Sequence, residues 1–165
     1  GVSPDMNLDL SGSYHWVGGW GVDLTNGKAQ ALTADSTKLY NMITATGEYT
    51  IEAWVAPATV SQDNTARIVS YSAGTTQRNF TLGQSLYNYD VMHRSTTTDL
   101  NGEPALSTAD ADEDLQATLQ HVVVTYHPGH GRRIYVNGVF TDDIDPSAGG
   151  TLVDWDNSFA FVIGK

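Results

Sequence analysis

The chain has 165 residues with a net charge of −11, from 19 acidic and 8 basic side chains, and it has no cysteine. That length suits one domain over residues 1–165 and is short for two. The acidic balance argues against a nucleic-acid partner, since phosphate affinity is built from Lys and Arg, and the missing thiols exclude disulfides, zinc thiolates and a Cys nucleophile. No apolar run approaches the length of a membrane span, and no charged-then-apolar leader opens the chain. A soluble fragment or mature product is expected, with any export signal removed or lying outside this sequence. Charged residues make up only 16%, while Gly is plentiful and Thr, Val and Tyr are frequent, so short strands joined by turns are favoured and the fold class is all-β.

Met6, Leu8 and Leu10 alternate ahead of Ser11-Gly12-Ser13, which predicts a first strand ending in a turn and pairing with a distant strand. Tyr14-His15-Trp16-Val17-Gly18-Gly19-Trp20-Gly21 follows. Its indoles fit either a stacking platform for sugar rings or a plug for the open end of a core, and the burial habit of large aromatics favours the plug. Asp35-Ser36-Thr37 reads as a turn that also resembles a helix N-cap. Lys38 to Ile43 fits a strand edge or one helical turn, and no helix of useful length is expected.

Tyr49 to Pro57 is the organising strand: Ile51, Ala53 and Val55 form an apolar face, and Thr50, Glu52 and Trp54 lie opposite. Arg67 to Ser72 and Asn79 to Gln84 form a hairpin, and Leu86 to Arg94 alternates without revealing which side faces inward. His121 to Tyr126 is the strongest buried strand, and Asn137-Gly138 is a preferred hairpin turn after Arg132 to Val136. Phe159 to Ile163 is the last strand. About ten short strands call for two packed antiparallel sheets, a jelly-roll sandwich.

The order Tyr49-Thr50-Ile51-Glu52-Ala53-Trp54-Val55-Ala56-Pro57, Arg67-Ile68-Val69-Ser70, Asn79-Phe80-Thr81-Leu82-Gly83, His121-Val122-Val123-Val124-Thr125-Tyr126 and Ile134-Tyr135-Val136-Asn137-Gly138 resembles the LamG-like jelly roll of the concanavalin A-like lectin/glucanase superfamily. The resemblance covers roughly residues 20 to 165. It is specific for fold rather than ligand. Such domains usually continue past Phe161-Val162-Ile163-Gly164 into another strand beside the N-terminal one. Here the chain stops at Lys165, so either Met6 to Leu10 takes that place or an edge lies open to another protein chain.

Glucanases of this superfamily carry Glu-x-Asp-x-(x)-Glu on one strand, and that string is absent here. Glu48 and Glu52 are the nearest substitutes. With no further carboxylate in Trp54 to Pro57, catalysis is not expected. No Gly-x-Ser-x-Gly elbow is present; His127, His130 and Arg132 read as solvated around a Pro-Gly turn, and His121 as hydrogen-bonded within the fold.

Acidic clusters at Asp110, Asp112 and Asp114, at 142–145, and at 154–157 fit calcium, which takes six to eight oxygens, and equally fit solvated loops. Several related domains bind structural calcium, which the resemblance implies for one of the three clusters, and Asp110, Asp112 and Asp114, alternating as early calcium-loop ligands do, are the expected metal ligands. Arg78, Asn79, Gln84, Tyr87, Asn88, Tyr89 and Arg94 concentrate planar hydrogen-bonding and aromatic groups on adjacent strands. The curved sandwich that the resemblance implies would set them on a concave face, with Trp54 as a further contact. The expectation is a non-catalytic module, extracellular, cell-surface or periplasmic, that binds glycan or another cell-surface polymer. The alternative is a structural or adhesive domain contacting protein neighbours through a sheet edge.

Overall fold

The structure, a computed structural model, describes residues 5–164. Eleven strands and one helix form two antiparallel sheets. The strands are β1 (Leu8–Val17), β2 (Gly21–Ala31), β3 (Tyr49–Val55), β4 (Ala66–Ser72), β5 (Arg78–Ser85), β6 (Asn88–His93), β7 (Leu106–Ser107), β8 (Gln120–His127), β9 (Gly131–Val136), β10 (Val139–Phe140) and β11 (Ala160–Ile163). One sheet has seven strands in the order β1-β2-β11-β4-β5-β6-β7, and the other four in the order β10-β9-β8-β3.

Period-two patterning explains the smaller sheet. Tyr49 and Ile51 of β3, Val122, Val124 and Tyr126 of β8, and Ile134 and Val136 of β9 are buried, and the residues between them face outward. Asn137 and Gly138 both take positive φ, 52° and 82°, the conformation a two-residue hairpin turn requires, and they join β9 to β10 as the sequence predicts. Opposite them, Tyr71, Phe80, Leu82, Tyr89, Val91 and His93 face inward from the larger sheet. The inward side of Leu86 to Arg94 is therefore that of Tyr89, Val91 and His93.

The core is unusually aromatic. Tyr49 stacks on Phe80 (centroids 5.4 Å apart) and on Tyr126 (5.6 Å), and Trp155 packs edge-on to Tyr71 (6.2 Å) while its indole N–H donates to the Arg94 carbonyl (2.7 Å). His93 lies in this cluster, 4.0 Å from the Tyr126 ring centroid, with Nδ1 hydrogen-bonded to the Tyr49 hydroxyl (2.8 Å). Burial lowers its pKa from 6.5 to about 3 and the Arg132 cation pushes the same way, so His93 is a neutral core residue.

Three expectations are corrected here. Thr33–Thr46 is a 14-residue α-helix, α1, where no useful helix is expected. It starts before the Asp35-Ser36-Thr37 cluster and ends at Gly47, whose φ of 74° lets its N–H close on the Ile43 carbonyl. Its buried stripe begins with a serine: Ser36 Oγ donates to the Leu32 carbonyl and accepts the Phe161 N–H, tying the helix to β11. Second, β1 does not end at Ser11-Gly12-Ser13 or seek a distant partner; it runs on to Val17 and pairs with β2 as a long hairpin. Third, Arg132 is buried, not solvated at the Pro-Gly turn.

Arg132 sends its guanidinium from β9 across the sandwich. Nε and Nη2 pair with the two Asp145 carboxylate oxygens (3.0 and 2.6 Å), Nη1 donates to the Val91 carbonyl of β6 (2.7 Å), and Nη2 also reaches the Pro104 carbonyl (2.9 Å) and Ser147 Oγ (2.6 Å). Burial alone would raise the Asp145 pKa. Hydrogen bonds from the Arg132 side chain and from the Arg132 and Ser147 backbones outweigh it and hold the carboxyl below its usual range.

Candidate binding faces

The outward side of the four-stranded sheet carries a row of large side chains. Register places Trp54 of β3 directly opposite His121 of β8, and Glu52 opposite Val123, which in turn faces Tyr135 of β9. Trp54 is 68% exposed, and its ring lies 4.7 Å from the His121 ring at an interplanar angle of 31°. His121 Nε2 meets Glu52 Oε1 at 2.8 Å. Its backbone is held at both ends by Asn137, which accepts the His121 N–H through Oδ1 (3.0 Å) and donates its own N–H to the His121 carbonyl (2.7 Å). The Asn-Gly turn thus fixes the residue that props up the indole. Further along the face, Tyr135 packs on Phe140 (5.4 Å) and the Arg133 guanidinium sits 5.8 Å from the Phe140 centroid. The four strands span about 14 Å between their outer axes, giving an outward face of aromatic groups flanked by a carboxylate, an imidazole and a guanidinium.

The other expected ligand residues do not join Trp54. Asn79 is buried, donating to the Asp156 carbonyl (2.9 Å) and accepting the Asp156 N–H (2.8 Å), so it clamps the 152–158 loop. Arg78 is also buried, with donors spent on Asn101 Oδ1, the Thr75 carbonyl and Met92 Sδ, and burial lowers its pKa. Gln84 donates to the Thr59 carbonyl (2.9 Å). Tyr89 lies between the sheets with its hydroxyl on Gln120 Oε1 (2.8 Å), and burial raises its pKa. Arg94 is half-buried and Tyr87 exposed. Arg78, Asn79, Gln84 and Tyr89 are therefore committed to framework hydrogen bonds, while Tyr87 and Arg94 keep exposed surface. These strands already use their planar groups to join loops to the sheet, which satisfies buried polar atoms.

The three acidic residues expected to hold calcium are also separated. Asp110 hydrogen-bonds Asn88 Nδ2. Asp114 instead neighbours Asp143: burial raises the Asp114 pKa, and the charges of Asp143 and Asp112 raise it further. Asp114 Oδ2 and Asp143 Oδ2 are both buried without a hydrogen-bond partner. Among the described residues no group of three or more His, Cys, Asp or Glu is gathered to hold a metal ion. Glu48 and Glu52 likewise have different partners, His127 (3.2 Å) and His121 (2.8 Å).

The β1–β2 hairpin is the second exposed aromatic region. Trp16 and Trp20 are 66% and 75% exposed, and Tyr14 and Val17 are exposed beside them. The expected core plug is corrected: both indoles sit on the exposed end of the ribbon, away from the core.

Two antiparallel sheets packed as a sandwich, with one aromatic-bearing outer face open, define a concanavalin A-like jelly-roll domain. The chain belongs to the laminin G-type family described as the concanavalin A-like lectin/glucanases superfamily, whose model matches residues 26–165. Similar solved structures are botulinum neurotoxin binding domains. One comes from the type C toxin, whose cell entry depends on interaction with two ganglioside molecules (15% identity, TM-score 0.63). Another is the binding domain of toxin DC in complex with rat synaptotagmin II (11%, 0.62), and a third is the DC domain in complex with SialylT (13%, 0.62). The likeness covers 96% of this chain but only 38–39% of those chains, and at such identity it establishes the fold alone. No curated protein matches the chain.

Proposed function

We propose that the domain is a non-catalytic binding module for carbohydrate or another cell-surface polymer, acting outside the cell or in the periplasm. The observation that carries this reading is Trp54, a largely exposed indole packed against the His121 ring, with Glu52 fixing the imidazole. Pyranose rings present C–H faces to such indoles and hydroxyls to flanking carboxylates and imidazoles. The ganglioside and SialylT binding of the structural neighbours supports the same class of ligand. Absence of the Glu-x-Asp-x-(x)-Glu string, with Glu48 and Glu52 engaged by separate histidines, supports a binding rather than hydrolytic role. A glycan array of wild type and Trp54→Ala tests it: binding should be present in the first and lost in the second, and a wild type that retains no glycan would refute it.

Calcium dependence is part of the proposal at Asp114 and Asp143, because two buried carboxylate oxygens without partners are the kind a hard cation satisfies. Calcium should raise the melting temperature and a chelator lower it; equal transitions would remove the metal. Docking to a protein neighbour through a sheet edge is a second reading, favoured by strand length. β7 and β10 end their sheets with two residues each, whereas the opposite ends, β1 and β3, present ten and seven. Sizing and cross-linking would reveal such pairing.

A further inference from the structure

The hairpin tip is the least explained surface in the molecule. Trp16 pairs with Val22 and Val17 with Gly21, and Gly18-Gly19-Trp20 makes the turn, so residues 16–22 form one apolar end. Both indoles and Val17 are exposed on it. The ribbon packs on the sandwich from Leu8, Leu10, Ala29 and Ala31 at its base up to Leu24, whose side chain lies against Gly164. From Leu24 to Gly21 the strand carries the tip about 10 Å further at strand rise. A soluble domain rarely leaves so concentrated an apolar end in water, and a two-stranded ribbon in isolation is only marginally stable. All but the last part of the ribbon lies before residue 26, where the family model begins to match.

The side chains of the tip decide among partners. Residues 16–22 contain no charged residue and no polar side chain other than the two indole N–H groups. The nearest ionisable groups, His15 and Asp23, face each other 3.5 Å apart at the foot of the tip. A sugar site needs fixed planar donors and acceptors beside the ring, and here they are missing. A phosphate or an anionic membrane needs Lys or Arg, and none occurs from residue 5 to residue 27 in a chain of net charge −11. Indoles flanked by small apolar residues suit the boundary between headgroups and acyl chains, where one edge stays hydrated and the ring is buried.

We propose that residues 16–22 dock into the interfacial layer of a neutral, phosphocholine-type lipid surface. Trp16 and Trp20 enter it, and His15 and Asp23 remain on the water side. The test is co-sedimentation with phosphocholine vesicles and the accompanying blue shift of tryptophan emission. Trp54→Phe serves as the background, so that the other exposed indole is silent. The expected result is partitioning that salt and added phosphatidylserine leave unchanged, and that the Trp16→Ala/Trp20→Ala pair lowers by about tenfold or more. Val17→Asp, which places a charge at the tip, should give the same loss with an unaltered melting temperature, which separates the effect from unfolding. The proposal is overturned by absence of binding to phosphocholine vesicles, by binding only when phosphatidylserine is present, by binding that these substitutions leave intact, or by a concentration-dependent dimer that they abolish instead.

Discussion

Two charge pairs, one inside the sandwich and one on its outer face, show how the same chemistry serves different ends. Arg132 and Asp145 are 1% and 4% exposed, with the guanidinium also spent on two carbonyls and a hydroxyl; His121 and Glu52 are 24% and 65% exposed and brace an indole that faces water. A buried pair is costly to break because the remaining charge stays uncompensated, whereas an exposed one adds about 0 to 1 kcal/mol. The inner pair therefore fixes the fold and the outer pair positions a surface. Asp145→Ala should cost about 3 to 5 kcal/mol in urea denaturation, and a smaller loss would mean that Arg132 finds water. Leu82→Ala, at a fully buried site of β5, should cost about 2 to 5 kcal/mol through the void it leaves.

Acid should also act on the interior. His93 has its folded pKa lowered from 6.5 to about 3, so the stability tied to its neutral form is present above pH 6.5 and is lost as pH falls toward 3. Between pH 6.5 and 4.5 the loss is about 2 to 3 kcal/mol by linkage. Below the usual carboxylate range Asp145, whose pKa is lowered, adds loss of the same sign. Asp90 and Asp114, whose pKa values burial raises, oppose it by shedding a buried charge. Denaturation curves at several pH values check the slope, and a flat profile would contradict a buried neutral His93. The smallest stability effect belongs to the outer face, where Trp54→Ala should change stability by less than about 0.5 kcal/mol.

The contrast also marks what was legible. Strands β3, β8 and β9 and the Asn137-Gly138 turn could be read because period two and a turn dipeptide are local signals. Helix α1 was hidden because its buried face begins at Ser36 and its sequence is rich in Thr, although Gly47 at its end offered a C-cap signal. Arg132 gave no sign because its partners come from distant stretches: Asp145, Val91 and Pro104. Arg78, Asn79, Gln84 and Tyr89 looked like a ligand set because planar polar groups are the same whether they bind a sugar or a loop backbone. Burial tells the two apart, and burial depends on packing beyond the strand. Trp16 and Trp20 reversed the usual habit of large aromatics because the ribbon that carries them leaves the sandwich.

The central claim is that the open face around Trp54 binds glycan while the interior only holds the fold. Its most direct test is a quantitative glycan-binding measurement on Trp54→Ala beside wild type, each with its melting temperature. The account predicts that binding disappears while the transition stays in place; unchanged binding in the variant would contradict it.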